Sequence, residues 1–364
     1  MLLHLLFDQK FTDYVIEQFS DREMQSDFVL VASTRRMVYF HYIDKVQVVN
    51  PEVPSEMDEL LDKIKNYRSV VFHGYFYPWQ AWLLNKWPEN VKIAWVCWGG
   101  EIYGQQDIEL SFLKPISRLA CRLYRIKNKD VYSYIFPKKW IEKSDYCLTS
   151  IREEYEYTKD YLGTNIQNLW YSYYSIDDTL GMLKACQCSG RNIFLGNSAA
   201  IEINHIEAML LIKKLHLEGR KIITPLSYGS PWVRNMCINI GKRLFVDKFQ
   251  PLVDFMPIEQ YNSTMLDCAV MIQPAVREHA HGNIVTGLWL GMRVYLSENG
   301  IDYKHFKRLG CKVFSIEHDL SLSNKDVLAP LSSEDVVYNR QILLREYGKD
   351  HIVEANKDIV RVLS

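Results

Sequence analysis

A polar loop follows the apolar strand that we predict to end at Gln273. The loop opens a helix that begins near Asn283. Free N–H groups and the dipole at a helix N-terminus attract a diphosphate, and arginine or histidine adds to this attraction. The same donors would stabilise charge on a departing phosphate. The candidate diphosphate contacts are Arg277, His281, Gly282, Asn283 and Thr286.

Two other interpretations of this loop remain open. It could be an ordinary solvated loop, or His279 and His281 could indicate a metal site. Two histidines without a nearby carboxylate triad are a weak metal signal, because zinc sites use three or four ligands. We therefore expect no metal and no cofactor.

Two further strand ends in the C-terminal half could contact a nucleotide. Gly196 lets a backbone approach a ligand closely, and Asn197, Ser198 and Asn204 lie between it and the next helix. Tyr228 follows the next strand and could hold a base or ribose. A capped strand-to-helix turn and a Ser/Gly turn are the structural alternatives.

The N-terminal half offers a candidate acid or base at two neighbouring strand ends. His73 follows one strand and Glu101 follows the next, so parallel pairing would place both at one edge of a sheet. Either could remove a proton from a hydroxyl group. A loop-capping role for His73 and a plain exposed carboxylate for Glu101 are the alternatives. Three aromatic residues suited to stacking on sugars and three glycines lie around them. The candidate acceptor contacts are Gly74, Tyr75, Trp98, Gly99, Gly100 and Tyr103.

The segment 112–143 is the most basic part of the chain. Nine basic against two acidic side chains give it a charge of +7, and leucine, tyrosine and tryptophan are interleaved. Such a surface can lie on an anionic membrane or meet the diphosphate of a lipid-linked molecule. A solvated helix face and an RNA-binding surface are the alternatives, although no known RNA module accompanies it.

Short apolar runs alternate with helical patterns along all 364 residues, which predicts βαβ units and parallel sheets. We predict a Rossmann-like domain over 1–175, a second over 191–332 and a helical segment over 333–364. The expected elements include one helix over Ile108–Arg125, a strand at Leu244–Val246 and a long, largely uninterrupted helical pattern over Ser333–Ser364. No apolar run reaches the roughly 18 residues of a membrane span.

Composition and missing motifs exclude several function classes. The net charge of −1 gives no reason to expect nucleic acid as a partner. No phosphate-binding G-x-x-x-x-G-K-[ST] and no G-x-G-x-x-G after a strand occurs, which disfavours NTP hydrolysis and NAD binding. No Asp-x-Asp pair occurs either, so a metal-bridged nucleotide-sugar site is not expected.

Four collinear pieces resemble one known family over most of the chain. The pieces are Phe72-His73-Gly74-x-Phe76-x-Pro78, Trp98-Gly99-x-Glu101-x-Tyr103, Gly196-Asn197-Ser198 with Asn204-His205-Ile206, and the loop and helix around Ile284 and Thr286 that end at Gly291. They resemble the TDP-N-acetylfucosamine:lipid II N-acetylfucosaminyltransferases, also called 4-alpha-L-fucosyltransferases (glycosyltransferase family fifty-six). The chain departs from the family pattern at Glu101, where Asp is usual, and in a less glycine-rich loop before Thr286.

The resemblance implies a GT-B fold of two Rossmann-like domains facing a cleft, with a C-terminal helix packing back on the first. It implies that Gly196, Asn197, Ser198, Asn204 and Thr286 lie on the nucleotide-sugar side. It also implies an acceptor side formed by His73, Gly74, Trp98, Gly99 and Glu101.

The expected activity is transfer of a deoxyamino sugar, such as 4-acetamido-4,6-dideoxygalactose, from a dTDP- or UDP-sugar to a glycan on undecaprenyl diphosphate. The expected location is the cytoplasmic face of the bacterial membrane, with 112–143 on the anionic surface. A nucleotide-sugar epimerase on a similar fold and a non-catalytic membrane-associated scaffold are the rival hypotheses.

Overall fold

The computed structural model describes all residues except 22, 23, 25, 34–36 and 129–133, and the side chain of residue 258. The chain divides into two compact units. Unit 1 comprises residues 1–105, 132–175 and 347–364, and unit 2 comprises residues 106–131 and 176–346.

Strands and helices alternate in both units. In chain order the strands are β1 (Leu2–Leu6), β2 (Ser26–Val31), β3 (Gln47–Val49), β4 (Ser69–Phe72), β5 (Lys92–Val96), β6 (Tyr146–Leu148), β7 (Gln167–Leu169), β8 (Asn192–Leu195), β9 (Ile222–Pro225), β10 (Phe249–Leu252), β11 (Cys268–Gln273), β12 (Arg293–Leu296) and β13 (Phe314–Ser315). The helices are α1 (Thr12–Phe19), α2 (Pro54–Ile64), α3 (Pro78–Asn85), α4 (Gly100–Tyr103), α5 (Pro115–Lys127), α6 (Lys138–Ile141), α7 (Arg152–Leu162), α8 (Ile176–Leu180), α9 (His205–Ile212), α10 (Pro231–Phe245), α11 (Ile258–Leu266), α12 (His281–Leu290), α13 (Ile301–Leu309), α14 (Ser333–Tyr347) and α15 (Lys349–Leu363). None of these helices is both long and apolar enough to cross a bilayer.

Unit 1 is built on a seven-stranded sheet in the order β3-β2-β1-β4-β5-β6-β7, with every pairing parallel. All five residues of β1 are buried, as expected for a central strand covered on both faces. Ile359 and Leu363 of α15 belong to the same apolar core as Leu2 and Leu6. The C-terminal helix therefore packs back on the first unit, as the sequence predicts.

Unit 2 holds a six-stranded parallel sheet in the order β10-β9-β8-β11-β12-β13. Its core joins strand residues such as Ile193 and Val270 to Ala208 and Met209 of α9. The predicted α/β fold with two Rossmann-like sheets is confirmed.

The strand order reverses direction between β1 and β4 in unit 1 and between β8 and β11 in unit 2. At such a switch point, the loops leave neighbouring strands toward opposite faces and open a crevice at the carboxyl edge. The residues that follow β8 and β11 are therefore the first candidates for a ligand site in unit 2.

Two expected elements are wrong. The residues of the strand expected at Leu244–Val246 end α10 and begin a short turn, and the edge strand is β10 a few residues later. The helix expected over Ile108–Arg125 is interrupted before Pro115, which begins α5 because proline suits a first helical turn. The largely helical segment expected over Ser333–Ser364 consists of α14 and α15, which are separated by Gly348 with an extended backbone. Sequence reasoning also missed α1.

Gly190, just before β8, provides a test of the packing of unit 2. A Cβ atom there would overlap the backbone carbonyl of Asp267, which belongs to the turn before β11. We expect Gly190→Ala to cost about 1 to 3 kcal/mol, as overpacked sites do. The melting temperature should fall by about 2 to 10 °C. Ser189→Ala, at the exposed neighbouring position, is the matched control. An unchanged melting temperature for Gly190→Ala would contradict this packing.

Candidate functional site

The turn after β8 passes very close to a buried histidine. Gly196 has a φ of +67°, and a Cβ at this position would lie 2.7 Å from Nε2 of His205 at the start of α9. Only glycine fits both the left-handed backbone and the short approach. The turn thereby stays slim at the switch point of the sheet.

A hydrogen-bonded set of side chains crosses this switch point. Gln273, at the end of β11, donates from Nε2 to Oδ1 of Asn197 over 3.2 Å and to the carbonyl of His279 over 3.3 Å. Nδ2 of Asn197 donates to the hydroxyl of Tyr228 over 3.1 Å. Sequence reasoning treated Gln273 only as a strand end and missed its position between the loops. Ser198 is fully buried beside Asn197.

The loops after β8 and β9 are joined through their backbones. The N–H of Ala199 donates to the carbonyl of Tyr228 over 2.8 Å, and a Cβ at Gly229 would lie 2.6 Å from the carbonyl carbon of Ala199. The side chain of Tyr228 remains 59 % exposed. It therefore offers a ring face at this edge of the sheet.

Arg277 brings a positive charge to the same edge. Its guanidinium donates to the carbonyl of Glu278 over 3.0 Å and lies 4.0 Å from Oε1 of Glu202. The charge of Arg277 acts against the burial that raises the pKa of Tyr228. It also adds to the burial that holds the pKa of His279 well below its usual range. Arg277, His279 and Tyr228 thus lie within electrostatic reach of one another.

Helix α12 begins at this loop through a left-handed residue, Ala280, with a φ of +64°. Gly282 is exposed in the first turn. The hydroxyl of Thr286 donates to the carbonyl of Gly282 over 2.8 Å, and the amide of Asn283 donates to the hydroxyl of Tyr261 over 2.6 Å. Both side chains are thus held by neighbouring protein groups. The backbone N–H groups of a first helical turn have no intrahelical acceptor and remain available to an anion.

Two buried acidic side chains, Glu278 in this loop and Asp302 in α13, have raised pKa values. Burial, with the charge of Asp302, raises the pKa of Glu278 to about 7. Burial also raises the pKa of Asp302 to about 7, although its Oδ2 accepts the N–H of His279 over 3.0 Å. Burial lowers the pKa of His281, whose ring stacks on Phe306. Since both acids are partly protonated near neutrality, less negative charge opposes an incoming anion.

The side chain of Asn204 hydrogen-bonds to backbone groups of unit 2. It is fully buried, and its Oδ1 accepts the N–H of Lys114 over 2.7 Å. Its Nδ2 donates to the carbonyls of Phe112 and Glu202 over 3.1 and 2.8 Å. The side chain therefore fixes the segment that leads into α5.

In unit 1, Glu101 is a buried carboxyl group in α4, the short helix that follows β5. Its Oε1 accepts Nε1 of Trp95 over 2.8 Å and the N–H of Trp98 over 3.2 Å. Its Oε2 has no hydrogen-bond partner among the described residues. Burial raises the pKa of this carboxyl group to about 7, against these hydrogen bonds. A carboxyl with such a pKa can exchange a proton near neutral pH.

His73 belongs to a buried chain of hydrogen bonds. Its Nε2 lies 3.0 Å from Nδ1 of His4, and its Nδ1 lies 2.9 Å from the hydroxyl of Tyr173. Nε1 of Trp98 donates to the same hydroxyl over 2.8 Å. Burial lowers the pKa of His4 to about 3 and that of His73 well below its usual range, so both rings are neutral. Sequence reasoning missed His4 and Tyr173.

The other residues expected at the acceptor side differ in accessibility. Tyr75 is fully buried, stacks on Phe136 at 4.8 Å and bonds Ser144 at 3.0 Å. Tyr103 is also buried, and its hydroxyl donates to Glu154. Trp98 is only half-buried. Gly74 and Gly99 adopt positive φ values of +95° and +81°, and Gly100 is exposed at the start of α4.

The basic segment 112–143 forms α5, α6 and their flanks. Lys129, Asp130 and Tyr132 of this segment lie outside the described residues. Across the described part of the chain, no group of three or more His, Cys, Asp or Glu side chains could hold a metal ion.

No protein-family model matches the chain, and no curated protein matches it by sequence. Solved structures match its whole length. A glycosyltransferase from Rickettsia africae has a TM-score of 0.64 at 11 % identity, covering 100 % of this chain and 98 % of its own. An alpha,alpha-trehalose-phosphate synthase (UDP-forming) from Burkholderia vietnamiensis has a TM-score of 0.64 at 9 % identity, covering 100 % and 99 %. WaaG, a glycosyltransferase involved in lipopolysaccharide biosynthesis, has a TM-score of 0.55 at 8 % identity, covering 100 % of both chains. The chain has the GT-B fold of these proteins.

His205 makes the stability of unit 2 sensitive to acid. Burial lowers its pKa to about 3, so it stays neutral in the fold while the unfolded chain takes up a proton below about pH 6.5. Its stabilising effect is complete above that pH and is lost as the pH falls, by about 1.4 kcal/mol per unit. His205→Leu should remove this part of the acid-induced loss of stability, because leucine takes up no proton. The substitution leaves no hydrogen-bond partner unsatisfied among the described residues, since neither ring nitrogen has one.

Denaturant unfolding at several pH values between about 6 and 4 measures this slope. His216→Leu, at an exposed histidine, is the matched control. If His205→Leu and wild type lost stability at the same rate, His205 would not be buried as described.

Proposed function

We propose that the chain is a glycosyltransferase that takes a sugar from a nucleoside diphosphate. One observation carries the proposal: at the switch point of unit 2, the slim turn at Gly196, the charge of Arg277 and the start of α12 lie at one edge of one sheet. Together they provide the close approach, positive charge and free amides that a diphosphate requires. The GT-B fold shared with solved glycosyltransferases supports the same class.

In this proposal, Tyr228 contacts the base or ribose with its exposed ring, and Asn197 and Gln273 hold it in place. The diphosphate lies against the first turn of α12. As an acceptor oxygen bonds the anomeric carbon, the bond to the diphosphate breaks and the electron pair leaves with the phosphate. Arg277 and the helix amides stabilise that charge without requiring a metal ion.

The acceptor hydroxyl must lose a proton in this reaction, and we propose Glu101 of unit 1 as the base. Its pKa near 7 suits that role, and its buried Oε2 has no hydrogen-bond partner among the described residues that a proton would have to displace. His73 is less suited, because both of its ring nitrogens are occupied by His4 and Tyr173. Half-buried Trp98 is the best placed aromatic for contact with an acceptor sugar.

The finer assignment rests on the family resemblance. We propose a dTDP- or UDP-linked deoxyamino sugar of the 4-acetamido-4,6-dideoxygalactose type as donor. We propose a glycan on undecaprenyl diphosphate as acceptor, met at the inner face of the bacterial membrane through the basic segment 112–143. An epimerase would convert the nucleotide-sugar without acceptor, so incubation with donor alone separates the two reactions.

Nucleotide binding tests the role of Arg277. Millimolar dTDP or UDP should raise the melting temperature, because a ligand that binds only the folded state stabilises it. Arg277→Gln should weaken the affinity by about 10- to 100-fold, the worth of a charge-assisted hydrogen bond of about 1.5 to 3 kcal/mol. Arg243→Gln, at an exposed arginine near the end of α10, is the matched control. Equal affinities in both variants would remove Arg277 from the site.

Glu101→Gln tests the base. The glutamine keeps the acceptor for Trp95 but cannot take a proton, so transfer should fall by about 10² to 10⁴-fold while nucleotide affinity is unchanged. Burial raises the pKa of Glu101 from 4.5 to about 7 in the folded protein. The free energy of unfolding of the wild type therefore falls as the pH rises through this range, because the carboxyl group must ionise while buried. At pH near 8 the variant should therefore be more stable, by up to about 3 kcal/mol. Undiminished turnover would exclude Glu101 as the base.

A further inference from the structure

Helix α5 exposes a row of large apolar side chains. The exposed fractions are 42 % for Ile116, 57 % for Leu119, 59 % for Leu123 and 77 % for Ile126. Their spacing of three, four and three residues places them within an arc of about 80° and over a length of about 15 Å on one helix face. We call these four residues the α5 stripe.

The opposite face of α5 is firmly attached to unit 2. Ser117 and Cys121 are buried, and Tyr124 stacks on Trp232 with ring centroids 4.3 Å apart. The carboxylate of Glu207 accepts the N–H groups of Ile116 and Ser117, each over 2.9 Å. Because the helix is anchored through this face, the α5 stripe is held outward by the fold.

The charges of α5 all have one sign. The helix carries four basic residues and no acidic one. Arg125 pairs with Glu109 over 2.6 Å, and Arg118 donates to the carbonyl of Leu113. Arg122 and Lys127 are exposed, and the helical geometry places them about 80° and 60° from the midline of the α5 stripe, on opposite sides. An apolar stripe is thus flanked by positive charge.

We propose that the α5 stripe enters the headgroup region of an anionic lipid bilayer while Arg122 and Lys127 contact the lipid phosphates. An aliphatic stripe with basic flanks and no acidic residue is complementary to such a surface. A second copy of the chain would bring two like-charged faces together. Single-stranded RNA would find no aromatic ring on the stripe to stack on. The inference rests on the proposed function in one respect: a lipid-linked acceptor would give the membrane contact its purpose.

Helix α14 provides a matched comparison within the same unit. It exposes Val337 by 56 % and Leu344 by 43 %, seven residues apart on one helix face. Its three acidic residues outnumber its two basic ones, Arg340 and Arg345, and two of the acidic residues lie in its first turn. Apolar exposure without a net positive charge should not bind anionic lipid.

The test is sedimentation of the full-length protein with vesicles of phosphatidylcholine alone or mixed in equal parts with phosphatidylglycerol. Wild type should bind the mixed vesicles and not pure phosphatidylcholine. Leu119→Glu with Leu123→Glu should weaken binding by at least about 100-fold, and Arg122→Gln with Lys127→Gln by about 25-fold, near fivefold for each charge. Val337→Glu with Leu344→Glu should bind like wild type.

The proposal would be overturned if the wild type did not bind the mixed vesicles, or if the Leu119→Glu, Leu123→Glu variant bound them undiminished. A wild-type dimer that this variant makes monomeric, in the absence of vesicle binding, would also overturn it. Preferential binding of RNA oligonucleotides over the vesicles would do the same. The melting-temperature shift with dTDP, measured on each variant, separates the two proposals. If the wild type did not bind vesicles but dTDP still raised its melting temperature, only the proposal for the α5 stripe would fail. If the wild type bound vesicles but dTDP did not change its melting temperature, only the proposed transferase would be contradicted.

Discussion

The close approach of the Gly196 turn to His205 is the constraint on which the candidate site depends. With 2.7 Å between Nε2 of His205 and the place a Cβ would occupy, only glycine lets β8 end where it does. The turn then leaves room for Asn197 to meet Gln273, and for the loop after β9 to lie against Ala199. A bulkier turn would separate these loops and fill the crevice that the strand order creates. The geometry of one backbone position thus keeps this crevice open.

Both units contain ionisable side chains whose neutral form is favoured by burial. His4 and His205 remain uncharged, while Glu101 and Asp302 have pKa values raised toward 7. Burying a full charge would cost several kcal/mol, so the fold holds these groups in the form that needs no counter-charge. Chemically, the consequence is useful. A carboxyl group near its pKa can exchange a proton, and a loop with weakened negative charge does not repel a diphosphate.

The sequence predicts the sheets well and the side-chain environments poorly. Apolar runs bounded by turns locate β8 and β12 to the residue, because buried parallel strands have a strong local signature. The role of Asn204 cannot be predicted in this way, since its partner Lys114 is 90 residues away. Nor can the hydrogen-bond chain from His4 to Tyr173, which joins residues far apart in the sequence. Local patterns identify which residues follow a strand, whereas burial and hydrogen bonding depend on pairings that only the folded chain reveals.

In the proposed function, a nucleoside diphosphate binds unit 2 at the carboxyl ends of β8 and β11. A crystal structure of the protein with dTDP tests it most directly. We expect the two phosphates at the first turn of α12, within hydrogen-bond distance of Arg277, with the turn at Gly196 alongside. A nucleotide bound at any other strand end, or within unit 1, would contradict it.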